Sequence, residues 1–327
     1  MQSIDVILLA GRIRPSPLME ALDVPTLCLP IDRNGSLLHA WLQALSSLPR
    51  VRSVRAVVNT AIEAEAVQFT ACGEARSSAN RMGLHVVAEP APWRGAAGIV
   101  RDVTAEDPRA DLVLVCEANR LPPTCLDHLS HLMMKSQPAV AGVIGFCGED
   151  QPAGLYMFTQ QAIERIPTIG YHDLKEQFIP SLRRAGHRVL CCRTGDSVWR
   201  LNDLESYLAC VRQRVAGGAA RGVHISAHAS VADSATFQGA SIVESGAIIE
   251  DGAVIHDSVV LWGATIGARA VLSRSVIGSL ARVSADERLT RAVLSPHGRT
   301  NGLTGEAAGR LGMMWPMAEQ DSWLRGG

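Results

Sequence analysis

A six-residue repeat in the second half of the chain constrains its fold more than any other feature. Read in sixes from Ile225, the sequence runs ISAHAS, VADSAT, FQGASI, VESGAI, IEDGAV, IHDSVV and LWGATI. Each hexad begins with a large apolar residue, and its fifth place holds alanine, serine, threonine or valine. Large residues fill the interior of a β-helical coil and small ones fit its corners, so each coil buries its apolar face against its neighbours. The repeat therefore predicts a parallel β-helix.

The preceding part of the chain follows a different pattern. From Ile4 to about Tyr207, continuous apolar runs alternate with segments of helical period, which is typical of a mostly parallel sheet covered on both faces. The predicted strands are Asp5–Leu9, Ser53–Val58, Leu84–Ala88, Leu112–Cys116, Ala139–Phe146, Leu155–Phe158 and Val189–Cys192. The predicted helices are Leu37–Leu48, Ala61–Ala79, Ala96–Val103, Leu126–Met134, Gln160–Ile166, Leu174–Ala185 and Glu205–Ala216.

These two patterns divide the chain into three predicted parts. An α/β domain occupies residues 1–216, and a hexapeptide-repeat β-helix occupies residues 217–285. A tail, residues 286–327, either caps the open end of the β-helix or binds a partner. Ligands of open α/β sheets bind outside the carboxyl ends of the strands, so the loop at Gly11 lies where a ligand is expected.

Composition limits the function classes. With 31 basic and 32 acidic residues the formal net charge is −1, so neither a nucleic acid nor a membrane surface is expected as a partner. We expect a cytoplasmic protein, since no leader pattern and no apolar run of about 18 residues is seen. Lys135 and Lys175 are the only lysines in the sequence. A lysine is not interchangeable with arginine at a site that needs a compact ammonium group.

Several short motifs occur in a defined order along the α/β part of the chain. Leu9-Ala10-Gly11 is followed by Arg12-Ile13-Arg14-Pro15, Gly95-Ala96-Ala97-Gly98 follows Glu89, and Ala153 to Phe158 precedes a segment from Trp199 to Tyr207. With hexapeptide coils behind them, these motifs resemble the sugar nucleotidyltransferases, also called NDP-sugar pyrophosphorylases. The resemblance implies a Rossmann-like nucleotidyltransferase domain followed by a left-handed parallel β-helix. It also implies the transfer of a nucleotide to a sugar 1-phosphate with release of pyrophosphate.

The resemblance also assigns candidate site residues. Catalysis would involve Arg12 and Glu117, and Glu117 would be the ligand of Mg²⁺ if the protein is active. The sugar side would be formed by Gly154 and Arg200. The nucleotide would contact Ala10, Gly11, Arg12, Arg14, Glu89, Gly95, Ala96 and Gly98.

The sequence departs from the family at each chemical element of that site. The glycine-rich insert between Gly11 and Arg12 is missing, although consecutive backbone N–H groups are what cradle a triphosphate. Thr26 stands where the family has a lysine, and losing one such stabiliser of transition-state charge typically costs roughly 3–4 kcal/mol. Arg200 stands where the family has a second metal-binding aspartate. Only GFCGEDQ separates Ile144 from Pro152, where the family has a long hairpin.

Three hypotheses follow from this combination. The first is a catalytically impaired family member that binds a nucleotide or nucleotide sugar as a regulatory or structural subunit. The second is an active nucleotidyltransferase that uses Glu117 for metal and arginines for phosphate. The third is an assembly scaffold. In all three, the resemblance implies a homo-oligomer or hetero-oligomer formed through the β-helix. Arg12, Arg14 and Arg200 either form a basic mouth for a diphosphate or pair with Asp5, Glu89 or Glu117.

Overall fold

The first part of the chain folds around one twisted sheet. The structure, a computed structural model, describes residues 2–11, 16–72, 76–89, 91, 93–136, 140–148, 151–195, 199–216 and 222–301. In chain order the elements of this part are β1 (Ile4–Leu9), α1 (Pro17–Leu22), β2 (Pro30–Asp32), β3 (Gly35–Ser36), α2 (Leu37–Leu45), β4 (Val51–Val58), α3 (Ala61–Cys72), α4 (Arg76–Arg81), β5 (Leu84–Ala88), α5 (Gly95–Ala105), β6 (Leu112–Glu117), α6 (Asp127–Lys135), β7 (Val140–Cys147), β8 (Gln151–Thr159), α7 (Gln160–Ile163), α8 (Ile179–Arg184), β9 (Arg188–Gly195) and α9 (Leu204–Ala216). A π-helical turn at Leu174–Phe178 leads directly into α8.

Seven strands form this sheet in the order β5-β4-β1-β6-β8-β7-β9. Strand β8 is antiparallel to both of its neighbours, and the other six strands run parallel to one another. The carboxyl ends of β5, β4, β1 and β6 therefore meet at one edge of the sheet, which we call the carboxyl edge. The α/β fold class predicted from the apolar runs is confirmed.

Both faces of the sheet are buried, which explains why its strands are apolar at nearly every position. In β1, Val6 and Leu8 face one apolar cluster, whereas Ile7 faces the other. Leu112 and Val113 of β6 divide in the same way. A strand buried on both faces loses the alternation of polar and apolar residues that marks a half-exposed strand.

Two local features of this domain were not apparent from the apolar pattern. Helix α1 begins after Ser16, whose hydroxyl accepts the backbone N–H of Met19 while proline occupies the first turn. The helix predicted over Ala61–Ala79 is divided into α3 and α4.

The second part of the chain is a three-sided parallel β-helix, and this prediction is also confirmed. Its strands are β10 (Gly222–Ile225), β11 (Ser230–Val231), β12 (Thr236–Gln238), β13 (Ala240–Val243), β14 (Ile248–Ile249), β15 (Val254–His256), β16 (Val259–Val260), β17 (Thr265–Ile266), β18 (Val271–Ser273), β19 (Val276–Ile277), β20 (Arg282–Val283), β21 (Arg288–Thr290), β22 (Ala292–Ser295) and β23 (Gly298–Asn301). Three sheets form its faces, in the orders β10-β13-β16-β19-β22-β23, β11-β14-β17-β20 and β12-β15-β18-β21. Within them, β23 alone is paired antiparallel.

The register of the coils differs from a strict six-residue repeat. Paired positions are 18 residues apart in the first coil and 17 residues apart from Ile242 onward. Val260, not Leu261, therefore follows Val243 in the interior. The shorter coils lack one residue at the corner formed by Asp257, which has a left-handed backbone (φ 45°) and lies two residues after Ile255. Beyond this corner, the hexads counted from Ile225 are shifted by one residue relative to the coils of the structure.

The β-helix packs against the α/β domain through the outer side of its first face. Ile242, Val259, Val276 and Val293 point outward there and belong to the same apolar cluster as residues of β1 and α9. Leu261 joins them instead of the coil interior. The two predicted domains therefore share one continuous core.

The coils continue past the predicted boundary at residue 285. Strand β21 extends the third face, β22 extends the first face, and β23 folds back on β22. Of the predicted tail, residues 302–327 lie outside the described residues. Among the residues that the structure describes, no helix has the length and apolar character needed to cross a membrane.

Candidate functional site

The carboxyl edge brings together most of the predicted site residues that the structure describes. Ala10 and Gly11 follow β1, Glu89 follows β5, and Glu117 ends β6. Neighbouring strands lie about 4.8 Å apart, so these positions form one continuous mouth. Arg12 and Arg14 lie outside the described residues.

The turn after β1 presents few free amides to this mouth. The N–H groups of Ala10 and Gly11 both donate to the carbonyl of Val57, at 2.8 and 2.9 Å. A side chain at Gly11 would come within 2.7 Å of the Asn59 Oδ1 atom. Glycine therefore allows this turn to pack closely against the end of β4, and its amide is used within the sheet instead of facing a ligand.

The start of α5 is capped by the chain itself. Gly95 has a left-handed backbone (φ 72°), and a Cβ atom there would lie 2.6 Å from the carbonyl oxygen of His172. That same oxygen accepts the N–H groups of Ala97 at 2.9 Å and Gly98 at 3.3 Å. Ala96 is half-buried beside them. Two of the amides that a helix start offers to an anion are thus already bonded.

Arg94 fastens a neighbouring segment across the carboxyl edge. Its guanidinium bonds both carboxylate oxygens of Asp102, at 2.7 and 2.9 Å, and the Gly170 carbonyl at 2.6 Å. The N–H of His172 donates to the Arg94 carbonyl at 2.8 Å. Gly98 leaves room for this guanidinium, since a Cβ atom there would lie 3.0 Å from the Arg94 side chain. Residues 170–175, which we call the crossing segment, therefore run from α5 toward β6.

Glu117 is held by three side chains from different elements. Its Oε1 atom lies 2.7 Å from Lys175 Nζ, at the end of the crossing segment, and accepts the Tyr156 hydroxyl at 3.0 Å. Its Oε2 atom accepts a hydrogen bond from Arg120. Both carboxylate oxygens are therefore already bonded, and two of the three partners are cations.

These contacts decide the charge state of Glu117. Burial by itself raises the pKa of this carboxyl, but Lys175 and Arg120 outweigh burial and lower the pKa to about 2. The pKa of Tyr156 is raised in turn, first by burial and then by the Glu117 charge. Glu117 is consequently an anion, and Tyr156 a neutral donor, at any physiological pH.

Gly154 and Arg120 form one packed unit. Arg120 is buried (3% exposed), donates to the Pro152 carbonyl at 2.8 Å, and has its own carbonyl fixed by the Trp41 indole N–H at 2.9 Å. Gly154 has φ 72°, and a Cβ atom there would come within 2.7 Å of Arg120 Nε. The position that the resemblance assigned to the sugar side is therefore lined by a guanidinium from the chain.

Arg200 lies beside the same group of side chains. The segments around Arg120 and Arg200 pair antiparallel, with Leu121 N–H donating to the Trp199 carbonyl and Leu201 N–H to the Asn119 carbonyl. Desolvation by neighbouring groups and the Arg120 charge lower the pKa of Arg200, although the residue is exposed at the surface, while Glu117 opposes this effect. The structure thus places Arg200 close to Arg120 and Glu117.

A divalent metal does not fit the residues present at this site. Magnesium prefers carboxylate and other oxygen ligands with free lone pairs, whereas Glu117 already bonds Lys175, Arg120 and Tyr156. Arg200 adds a positive charge where a second carboxylate would be needed. In the part of the chain that the structure describes, no group of three or more His, Cys, Asp or Glu side chains could hold a metal ion.

One of the two alternatives for Arg12, Arg14 and Arg200 paired them with Asp5, Glu89 or Glu117, and Arg12 and Arg14 lie outside the described residues. Asp5 pairs with Arg52, at the amino end of β1 and so at the opposite edge of the sheet. Glu117 pairs with Arg120 and Lys175. Glu89 is half-buried, burial raises its pKa, and its carboxylate has no hydrogen-bond partner among the described residues.

Sequence reasoning missed Lys175, Arg120 and Tyr156. One available signal was the rarity of lysine, because a lysine kept among so many arginines suggests a position that needs an ammonium group. Arg120 and Tyr156 carry no such signal. Their role depends on contacts between segments that are distant in sequence.

The fold and site define an α/β domain with a charged carboxyl edge, joined to a parallel β-helix. No model of a known protein family matches this chain, and no curated protein matches it.

Proposed function

We propose that this protein binds a nucleotide or a nucleotide sugar at the carboxyl edge and does not turn it over. It would serve as a regulatory or structural subunit in nucleotide-sugar or polysaccharide metabolism, as an impaired relative of the sugar nucleotidyltransferases. The observation that carries the proposal is the occupied carboxylate of Glu117, with Lys175 and Arg120 bound to its two oxygens.

The loss of catalysis is supported by what a nucleotidyl transfer needs. The developing charge on the phosphates must be stabilised by preorganised donors or by a metal ion. The amides of Ala10 and Gly11 are bonded to Val57, and Glu117 is neutralised by cations. Restoring a metal site would require displacing two buried or half-buried cations from one carboxylate.

Retained binding is supported by groups that lack partners at the same edge. The Glu89 carboxylate is unpaired among the described residues and could accept hydrogen bonds from a base or a ribose. Trp93 (76% exposed) and Tyr171 (45% exposed) flank Gly95 on two segments joined by the His172–Arg94 backbone bond. Exposed aromatic faces suit a nucleobase, since every base has a face that can stack.

Two measurements test this proposal together. Thermal unfolding against a panel of nucleotides and nucleotide sugars should show stabilisation by at least one class, because a ligand that binds only the native state raises its stability. Trp93→Ala should reduce that shift, whereas Ile169→Ala, an equally exposed apolar residue, should not. Pyrophosphate release from nucleoside triphosphates, sugar 1-phosphates and Mg²⁺ should stay at background.

The alternatives make different predictions in the same assays. An active enzyme with relocated ligands would release pyrophosphate at roughly 1–1,000 per second, the usual range for enzymes, and would lose this rate in Glu117→Gln. An assembly scaffold with an empty α/β domain would show no thermal shift with any nucleotide. Either result would replace the proposal.

A further inference from the structure

The β6 side of the carboxyl edge carries surplus positive charge. Arg120, Lys175 and Arg200 surround Glu117, and we call these four residues the charged cluster. Asp173, in the crossing segment, uses its Oδ1 atom to accept backbone N–H groups of the π-helical turn that follows it. Among the described side chains of this group, three cations stand against two carboxylates, which leaves a net positive charge.

Two arginines of the cluster face each other on paired segments. Arg120 and Arg200 are directly opposite in the antiparallel pairing, where Cβ atoms lie about 4.5–5.5 Å apart and like charges are destabilising. The Trp41 indole fixes the Arg120 backbone, so this arrangement cannot relax by a simple shift of that segment. An unfavourable pair of this kind is relieved when an anion lies between or beside the two groups.

The cations of the cluster differ in how far a ligand could reach them. Arg120 is buried, and its Nε atom has no hydrogen-bond partner in the described part of the chain. Arg120 therefore forms the inner, solvent-remote side of the charged cluster, which we call its floor. The Lys175 side chain is 37% exposed and uses one of its three donors on Glu117. The Arg200 side chain is exposed and makes no hydrogen bond within the described ranges. Free donors therefore remain on the solvent side.

We propose that Arg200 and Lys175 bind the oxygens of a diphosphate group without a divalent metal, above the positive floor formed by Arg120. This inference rests on the proposed function, since it assigns the phosphate end of the same ligand. A guanidinium fork binds phosphate oxygens bidentately, and an ammonium group adds a point charge. Side chains would thus supply the charge that a metal ion supplies elsewhere. Glu117 keeps Arg120 and Lys175 in position.

Titration calorimetry with inorganic pyrophosphate, at fixed ionic strength, tests the inference directly. The full-length protein is titrated once in excess chelator and once with Mg²⁺. We expect binding in chelator, and Mg²⁺ should weaken it by competing for the free pyrophosphate. Arg200→Ala should lower the affinity roughly 10- to 100-fold, the usual effect of losing a charge-assisted bidentate bond. The affinity of Arg200→Lys for pyrophosphate should fall between that of the wild type and that of Arg200→Ala.

Matched variants keep the result interpretable. Arg188 is an exposed arginine at the amino end of β9, far from the carboxyl edge, so Arg188→Ala should bind pyrophosphate like the wild type. Thermal unfolding of Arg200→Ala should occur at or slightly above the wild-type temperature, because removing this charge relieves its repulsion with Arg120. Lys175→Met provides a second test of the same site and should also weaken binding.

The outcomes separate this inference from the proposed function. Binding that requires Mg²⁺, or that Arg200→Ala and Lys175→Met leave unchanged, would overturn the metal-free site. Nucleotide sugars that bind only with Mg²⁺ would leave the proposed function standing and refute this inference. Pyrophosphate that binds in chelator while no nucleotide or nucleotide sugar binds would refute the proposed function and support this site.

Discussion

Lys175 Nζ lies 2.7 Å from Glu117 Oε1, and this ion pair fastens the crossing segment to the end of β6. The other end of the segment is held at α5, where the His172 carbonyl accepts two amides of the helix start. One segment therefore spans the mouth of the sheet between two anchored ends. Its lysine occupies the carboxylate that would otherwise be available to a metal ion.

Arg120 and Glu117 should be strongly coupled in their effect on stability. Arg120→Met leaves a half-buried carboxylate with one cation fewer, and it should cost somewhat less than the roughly 3–5 kcal/mol typical of breaking a fully buried pair. Glu117→Gln should also destabilise, because it leaves Arg120 buried without its counter-ion. The double variant should cost less than the sum, with a coupling of roughly 1–3 kcal/mol in urea unfolding. Arg188→Met is the exposed control, and strictly additive effects would show that the pair is not coupled.

The charge on Glu117 predicts a specific dependence of stability on pH. Its folded-state pKa is lowered from 4.5 to about 2, so its contribution is fully present above about pH 4.5. The contribution is lost as the pH falls toward 2, and its full size is roughly 3 kcal/mol. The difference in unfolding free energy between the wild type and Glu117→Gln should therefore shrink across this window.

The matched control for the pH series is Glu65→Gln, at an exposed position of α3. Its difference from the wild type should stay near zero at every pH. Unfolding curves of the wild type and Glu117→Gln that run parallel from about pH 6 to pH 2.5 would contradict the depressed pKa.

Gly154→Ala should cost more than the backbone conformation alone explains. Both Gly154 (φ 72°) and Gly186 (φ 82°) have left-handed backbones, but only at Gly154 would a Cβ atom meet Arg120 Nε at 2.7 Å. Nothing lies within 4 Å of a Cβ atom at Gly186. Gly186→Ala should cost roughly 1–2 kcal/mol, and Gly154→Ala should exceed it by about 1 kcal/mol or more. Equal costs would mean that Arg120 moves aside freely.

Ser258 and Ser275 are hydrogen-bonded across successive coils of the β-helix, and we call this pair the serine ladder. The serine ladder should contribute measurably to stability. Ser258 is fully buried; its hydroxyl donates to the His256 carbonyl at 2.7 Å and accepts the Ser275 N–H at 3.0 Å. Ser258→Ala leaves the Ser275 N–H without this acceptor, while the His256 carbonyl still accepts the Arg274 N–H, and should cost roughly 1–3 kcal/mol. Ser284→Ala, at an exposed position, should be nearly neutral in the same denaturation experiment. A neutral Ser258→Ala would assign the ladder no energetic role.

Periodicity predicts the architecture of this protein well because the positions that a strand buries must be apolar. Strands such as Leu84–Ala88 agree residue for residue with the sequence prediction. The register of the β-helix was less accessible, because Val259, Val260 and Leu261 are all apolar and any of them could face the interior. The shorter turn at Asp257 determines which of these residues faces the interior, and the apolar pattern of the sequence does not reveal that turn.

The candidate site was predictable only where local sequence determines position. Glu117 could be placed at the carboxyl edge because it ends a clear strand, whereas Arg200 was assigned only through the resemblance to the sugar nucleotidyltransferases. The partners of Glu117 could not be derived in this way. Lys175 and Arg120 reach it through the crossing segment and the turn after β6, and such tertiary contacts have no periodic signature.

The most direct test of this account is a titration of Mn²⁺, a spectroscopic substitute for Mg²⁺, followed by electron paramagnetic resonance. The wild type and Glu117→Gln are compared, each with and without pyrophosphate. The account predicts that Mn²⁺ binds both proteins equally weakly, because Lys175 and Arg120 already occupy the Glu117 carboxylate. One tightly bound Mn²⁺ per wild-type chain that Glu117→Gln abolishes would contradict it.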